Sequence, residues 1–236
     1  MLFKHILKNY GGLILNGIGI TLFLAIVGTI LGLIIALFLG SVLSLEESPF
    51  DSQTKKHFKK IGKVIINVYV TIFRGTPMVV QAMIFYYTFY KVGIKWSYTT
   101  AGLFTVTLNT AAYLTEVVRS GVSSISKEQT EAGLAVGLSS FKTFIYIVLP
   151  QALKNSMASI GNELIVNIKD TSVLSVIMIV DLYNACSKAG SAYGAVLESM
   201  LIAAIIYLCL TSFFSIILRK IEKLIGAPTK AIASSN

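Results

Sequence analysis

Two polar stretches carry the residues best able to do chemistry. The first, NELIVNIKD, holds Asn162, Glu163, Asn167, Lys169 and Asp170 at the end of an apolar run. The second, LNTAAYLTEVVR, holds Asn109, Thr110, Tyr113, Glu116 and Arg119. On a helix, residues four apart share a face, so Glu163 sits with Asn167 and Asn109 with Tyr113. An ionisable group inside an apolar span is costly and normally faces a cavity or a partner. Glu163 therefore suits two roles. It can wall a pathway for a polar solute, meeting an ammonium or a cationic side chain, or it can pair between helices, for example with Lys169. Asn109, Thr110 and Tyr113 suit the same pathway. Glu116 and Arg119 are three apart and can pair near a span end, as a structural or gating bridge. Asp170, Thr171 or Ser172 can cap a helix starting near Val173. Such a broken helix would aim backbone N–H groups at a substrate carboxylate, or would simply start a helix at the outer surface.

This chemistry is recognition, not catalysis. The chain has no G-x-x-x-x-G-K-[ST] phosphate loop, no H-E-x-x-H and no G-x-S-x-G. His5 and His57 lie far apart in polar segments, and Cys186 and Cys209 have no metal spacing and are too few for a disulfide framework. The expectation is a non-enzyme with no metal and no cofactor of its own.

The elements that must hold these residues are membrane spans. The 236 residues are 55% hydrophobic and only 13% charged, with mean hydropathy +0.76, against about 25% charged in a soluble domain. The net charge of +9 would suit nucleic acid, but the long apolar runs exclude that partner. Basic residues flanking spans are expected in cytoplasmic loops. The apolar run from Leu13 is too long for a cleaved signal and reads as a retained span.

Taking about 20 apolar residues per crossing, the expected spans are Leu13–Leu45, Val64–Phe89 (interrupted by FRGTPM), Thr99–Val118, Ala152–Ile168 and Ser199–Leu218. The stretch with Lys55 to Lys63 reads as a polar loop, and Lys169–Glu198 as a half-polar segment. Gly75 and Pro77 predict a kink in the second span. Arg74 there suits lipid phosphate, a helix C-terminus or the cytoplasmic segment. The run FYYTFYKVGIKW reads as an outer interfacial belt. No internal repeat is visible. Alternate loops hold twelve and six basic residues, so the positive-inside rule puts the N-terminus outside and the C-terminus in the cytoplasm.

One segment fits no span. SKEQTEAGLAVGLSSFKTFIYIVLPQAL, Ser126 to Leu153, is half polar yet built of helix formers. Ser126 with Gln129 matches a capping box, and Gly137 suits a left-handed helix end. A second amphipathic turn begins at SSFKTFIYIVLP and stops before Pro150. The expectation is two short helices meeting at a glycine corner on the cytoplasmic surface.

The residues Glu131, Ala132, Gly137, Leu149 and Pro150 resemble the EAA signature of ABC importer permeases, with Gly133 where the family often has Ala. FRGTPMVVQ (Phe73 to Gln81), LNTAAYLTEVVRSGVSSI (Leu108 to Ile125) and NELIVNIKDTSVLS (Asn162 to Ser175) resemble blocks of the polar amino-acid branch, in family order, over residues 10–225. The resemblance implies an all-α integral membrane protein of the MetI-like ABC permease fold. It would be one permease domain, residues 1–225, with a cytoplasmic tail at 226–236 and a coupling segment at about 126–150, between spans three and four. It implies that Glu131, Ala132, Gly133, Gly137 and Leu138 meet a cytoplasmic ATP-binding subunit. ATP and Mg²⁺ would bind on that partner. A second permease subunit, identical or similar, and an extracytoplasmic amino-acid-binding protein complete the implied assembly in the cytoplasmic membrane. A permease for another small solute, or an ion-coupled carrier, is the alternative.

Overall fold

A computed structural model describes residues 2–44 and 52–226, and these are helical without strands. The tail beyond residue 226 and residues 45–51 lie outside the described residues. Helix α1 spans Leu2–Ser44, α2 Gln53–Gly75, α3 Met78–Lys91, α4 Tyr98–Ser123, α5 Lys127–Ala135 and α6 Ser140–Thr143. Helix α7 spans Leu149–Asp170, α8 Leu182–Tyr193 and α9 Val196–Leu224.

Helix α1 starts eleven residues before the expected Leu13, because Gly11 and Gly12 do not interrupt it. At 1.5 Å per residue its 43 residues reach about 65 Å, roughly twice a bilayer core. The surplus N-terminal turns are used in packing. Ile6 and Ile14 are buried against Leu182, Ala185, Cys186 and Ala189 of α8 and Ile202 of α9.

The central contact is α1 on α4. Gly28, Gly32, Ala36 and Gly40 recur every four residues and form one small-residue stripe. A Cβ on Gly28 would lie 2.5 Å from Val106 Cγ1, and one on Gly40 2.8 Å from Val118 Cβ. Any larger side chain there would push the two helices apart. Helix α4 is rich in Thr and Asn, yet it sits among α1, α2, α3 and α7. Two of its buried hydroxyls bond backwards, Thr105 to the Ala101 carbonyl at 2.9 Å and Thr115 to that of Ala111 at 2.6 Å, and Thr110 accepts from Asn167 of α7.

Alone, α1 and α9 are long and apolar enough to cross a membrane, and α2 with α3 would form a third candidate. Helices α4 and α7 have the length of a crossing, at 26 and 22 residues, but more polar faces. In α4 Thr105, Asn109, Thr110 and Thr115 are buried within the bundle, whereas Asn155, Ser159 and Asn162 of α7 face an open cavity.

Several local expectations change. The Lys55–Lys63 loop is helical and opens α2. Lysines 56, 59, 60 and 63 fall on one face of that helix, with Phe58, Ile61 and Ile65 opposite, an amphipathic pattern. The expected kink at FRGTPM is a 109° bend between separate helices. Nor does a helix begin at Val173. Helix α7 runs to Asp170, a 3₁₀ turn covers Thr171–Ile177, and Met178 takes a left-handed conformation with φ 66°. The new helix, α8, begins at Leu182 and is capped by Asp181, whose carboxylate accepts from the Tyr183 and Asn184 amides at 3.2 and 3.0 Å. Tyr207 of α9 donates to the same carboxylate at 3.3 Å. Asp181 thus pins α8 to α9, and the Leu182 amide donates to Thr21 Oγ1 of α1 at 3.1 Å.

Candidate functional site: a polar cavity and a glycine-cornered helix pair

Some of the polar residues of both sequence stretches meet at one open cavity of about 900 Å³, within the size range of ligand pockets, roughly 300–1,000 Å³. Tyr113, Glu116 and Arg119 of α4 line it with Asn162 and Glu163 of α7. Ser120, Asn155, Ser159 and, from α9, Arg219 and Glu222 join them on the wall, with Val117, Ile165 and Leu218 between. Arg74, from the last turn of α2, also lines it, with its guanidinium carbon 5.4 Å from the centre of the Tyr113 ring. That is cation–π geometry. The place of Arg74 in the last turn of α2 fits the helix C-terminus role considered from sequence, and the ring contact is an addition to it.

Among the described residues Glu163 makes no hydrogen bond or ion pair. The alternative of an internal pair with Lys169 is therefore not formed. Glu116 and Arg119 do pair, through Nη2 at 2.6 Å and Nε at 3.0 Å to one carboxylate oxygen. With Arg119 half exposed, the bridge contributes at most about 1 kcal/mol to stability, so its place on the cavity wall is the more informative fact.

Five expected pathway residues, Asn109, Thr110, Asn167, Lys169 and Asp170, do not line this cavity. Asn167 is 2% exposed and donates to Thr29 Oγ1 and Thr110 Oγ1, each at 2.8 Å. It ties α7 to α1 and α4 at once. Asn109 is also buried, donating to Gln81 Oε1 at 3.0 Å. Lys169 and Asp170 are exposed at the far end of α7. Sequence spacing put Asn167 beside Glu163 correctly, but it could not tell a cavity wall from a helix interface.

The second feature is the α5–α6 corner. Gly137 follows α5 with φ +85°, a conformation that costs an L-residue about 1–2 kcal/mol. The Gly137 amide donates to the Leu134 carbonyl at 3.0 Å and the Leu138 amide to that of Gly133 at 3.1 Å. This pair of bonds is a complete Schellman ending. The expected capping box is absent: Ser126 occupies the N-cap but accepts no amide bond. Its hydroxyl instead bonds Glu128 and holds that carboxyl below its usual range. Ser139 caps α6, accepting from the Lys142 amide.

The second helix also does not stop before Pro150. A π turn at Phe144–Val148 joins α6 to α7, with Pro150 in the first turn of α7. Proline supplies no N–H and its ring clashes with a carbonyl one turn back, and the widened turn carries the chain through that defect. Glu131 and Ala132 are exposed, as are Val136 (78%), Phe141 (74%) and Tyr146 (72%). Gly133 alone in α5 is buried, against Thr143.

A helical membrane protein with an open cavity rich in polar side chains and a polar helix pair set off from its spans is the class these features define. Residues 52–226 match the family described as binding-protein-dependent transport system inner membrane component, and the chain belongs to that family. The chain is 36% identical over 211 residues to the arginine transport system permease protein ArtQ of Bacillus subtilis, covering 89% of this chain and 91% of that one. It is 33% identical over 213 residues to the glutamine transport system permease protein GlnP of Escherichia coli K12, covering 89% and 92%. Among solved structures it superposes on an amino acid ABC transporter crystallised with histidines, with TM-score 0.80, 29% identity, and 94% and 97% coverage. The fold also matches the MetNI methionine ABC transporter, with TM-score 0.71, 19% identity, and 90% and 96% coverage.

Proposed function

We propose that this chain is the membrane permease subunit of an ATP-driven importer of polar amino acids. The reading is supported by the relatives named for arginine and glutamine transport and by the amino-acid transporter fold. In it, residues 1–225 form one domain with five crossings, residues 226–236 a cytoplasmic tail, and the N-terminus faces outside. The basic-residue asymmetry of the loops supports that orientation. The chain pairs with a second permease subunit in the cytoplasmic membrane. An extracytoplasmic binding protein delivers the amino acid, and a cytoplasmic subunit binds ATP and Mg²⁺.

The observation that carries the coupling role is the α5–α6 corner. A rigid helix pair presents Val136, Phe141 and Tyr146 to solvent beside Glu131. An exposed apolar group of this kind marks a protein contact. Glu131, Ala132, Gly137 and Leu138 would meet the ATPase, with Gly133 behind them setting the corner. Because Gly137 and the close Gly133–Thr143 packing leave the corner no slack, a push from the ATPase moves α7 as a rigid body. Glu163 and Asn162 sit on the wall that α7 moves, facing Tyr113 of α4. Glu163, without an internal partner, meets the positive end of the amino acid. The Glu116–Arg119 bridge closes or opens the same wall.

The test is uptake of labelled glutamine or arginine by proteoliposomes holding the whole complex with ATP inside. ATP-dependent uptake that the exposed-face variant Phe141→Asp abolishes, with loss of ATPase co-purification, supports the reading. Uptake driven by an ion gradient without the ATPase sinks it.

A further inference from the structure

We infer that Arg74 is the carboxylate-recognising group of the cavity, and that Gln81 and Asn109 are positioning residues that aim it. The inference rests on the amino-acid reading of the cavity.

The starting point is the 109° bend between α2 and α3. A helix ends with carbonyls that have no amide of their own helix to bond, and Pro77 in the bend brings no N–H. The Gln81 side chain, 5% exposed, fills the gap. Its amide nitrogen donates to the Phe73 carbonyl at 2.9 Å, to the Thr76 carbonyl at 3.0 Å and to Thr76 Oγ1 at 2.9 Å. Its oxygen is held in turn by Asn109 Nδ2 of α4 at 3.0 Å. One buried amide on the first turn of α3 thus ties down the end of α2, and α4 locks that amide in place.

Arg74 follows Phe73 directly. Asn109 and Tyr113 stand one turn apart on α4. Asn109 holds the clasp that bonds the Phe73 carbonyl, and Tyr113 carries the Arg74 guanidinium on its ring. Two consecutive residues of α2 are therefore registered against two successive turns of α4. Fixing the first fixes where the second points.

Arg74 makes no ion pair among the described residues, and neither does Glu163 across the same cavity. The Arg74 guanidinium and the Glu163 carboxylate, on a wall that also carries Ser and Asn, the Glu116–Arg119 bridge, Arg219 and Glu222, form a complementary site for a zwitterion. The planar guanidinium takes a carboxylate through two parallel bonds. The Tyr113 ring holds the cation in the absence of that anion without neutralising it. Glu163 is left for the ammonium.

The experiment uses the full complex in proteoliposomes with ATP inside. Labelled glutamine and arginine are each compared with their α-carboxamides, which keep the ammonium and lose the carboxylate. The same ligands are titrated onto the detergent-solubilised permease–ATPase complex, so that the binding protein's own selectivity is bypassed. Wild type favours the acid over the amide by about tenfold or more. Arg74→Ala abolishes that preference with little change in amide affinity, and Arg74→Lys keeps part of it. Gln81→Leu weakens the preference, and adding it to Arg74→Ala changes nothing further. Asn109→Ser gives the same non-additive pattern by a milder route, should Gln81→Leu assemble poorly. An acid preference that survives Arg74→Ala overturns the role of Arg74. Effects of Gln81 and Arg74 that simply add overturn the positioning role. ATP-driven uptake with no preference in wild type overturns this inference alone, whereas no ATP-driven uptake of any of the four overturns the transport reading as well.

Discussion

The Cβ that Gly133 lacks would lie 2.5 Å from Thr143 Cγ2 and 2.9 Å from Thr143 Oγ1. The absent side chain is what lets α5 lie on the end of α6. Thr143 is fully buried and its hydroxyl has no hydrogen-bond partner among the described residues. Gly133→Ala gains about 1 kcal/mol of helix propensity and loses about 1–3 kcal/mol to overpacking. The net expectation is a displaced corner and lower ATP-driven uptake. Thr143→Ala alone is tolerated, and combined with Gly133→Ala it restores uptake. Uptake rates of the four complexes check this, and a rescue that fails counts against the close packing.

Gly137 has open space around it but a positive φ of 85°. Its need for glycine is therefore conformational and not steric. Gly137→Ala is expected to cost about 1–2 kcal/mol at the corner, and Gly137→Asn less, because Asn visits the left-handed region readily. Co-purification of the ATPase should rank glycine, asparagine, alanine in that order. Equal retention by all three would show that the corner tolerates reshaping.

Asn167 separates a structural from a pathway role. Its two bonds to Thr29 and Thr110 join three helices. Asn167→Ala is expected to destabilise the permease by about 1–3 kcal/mol, read as a lower melting temperature in detergent. Direct substrate affinity of the surviving protein should change little. A normal melting temperature with lost affinity would return Asn167 to the pathway.

Glu163 should behave in the opposite way. With no bond among the described residues to lose, Glu163→Gln is expected to leave stability within about 0.5 kcal/mol. Affinity for labelled amino acid should fall about tenfold, the scale of losing one charged contact. A stability loss without an affinity change would make it a structural group.

Much of this was legible in the residues, and the failures have physical causes. The corner at Gly137 was visible because left-handed helix ends favour glycine and the flanking residues are helix formers. Glu163 stood out because a charge in an apolar run is costly. The stripe Gly28, Gly32, Ala36, Gly40 went unread because small residues carry no signal until a partner helix is known. Asp181 precedes α8 in an N-cap position, but the half-polar segment around it hid where a helix would start. Arg74 could not be placed because a 109° bend, not a kink, decides where it points. Asn109 and Asn167 were assigned by face alone, and one helical face can hold both a cavity wall and a packed interface. Polar composition, lastly, cannot distinguish a buried interior helix such as α4 from a poor membrane span.

The central claim is ATP-powered movement of a polar amino acid through this chain. It is tested most directly by proteoliposomes containing the permease, its ATPase and its binding protein, loaded with ATP or a non-hydrolysable analogue. The account predicts that labelled glutamine or arginine accumulates only with hydrolysable ATP, and that Phe141→Asp, which should detach the ATPase, abolishes it. Accumulation driven by an ion gradient in vesicles lacking the ATPase would contradict it.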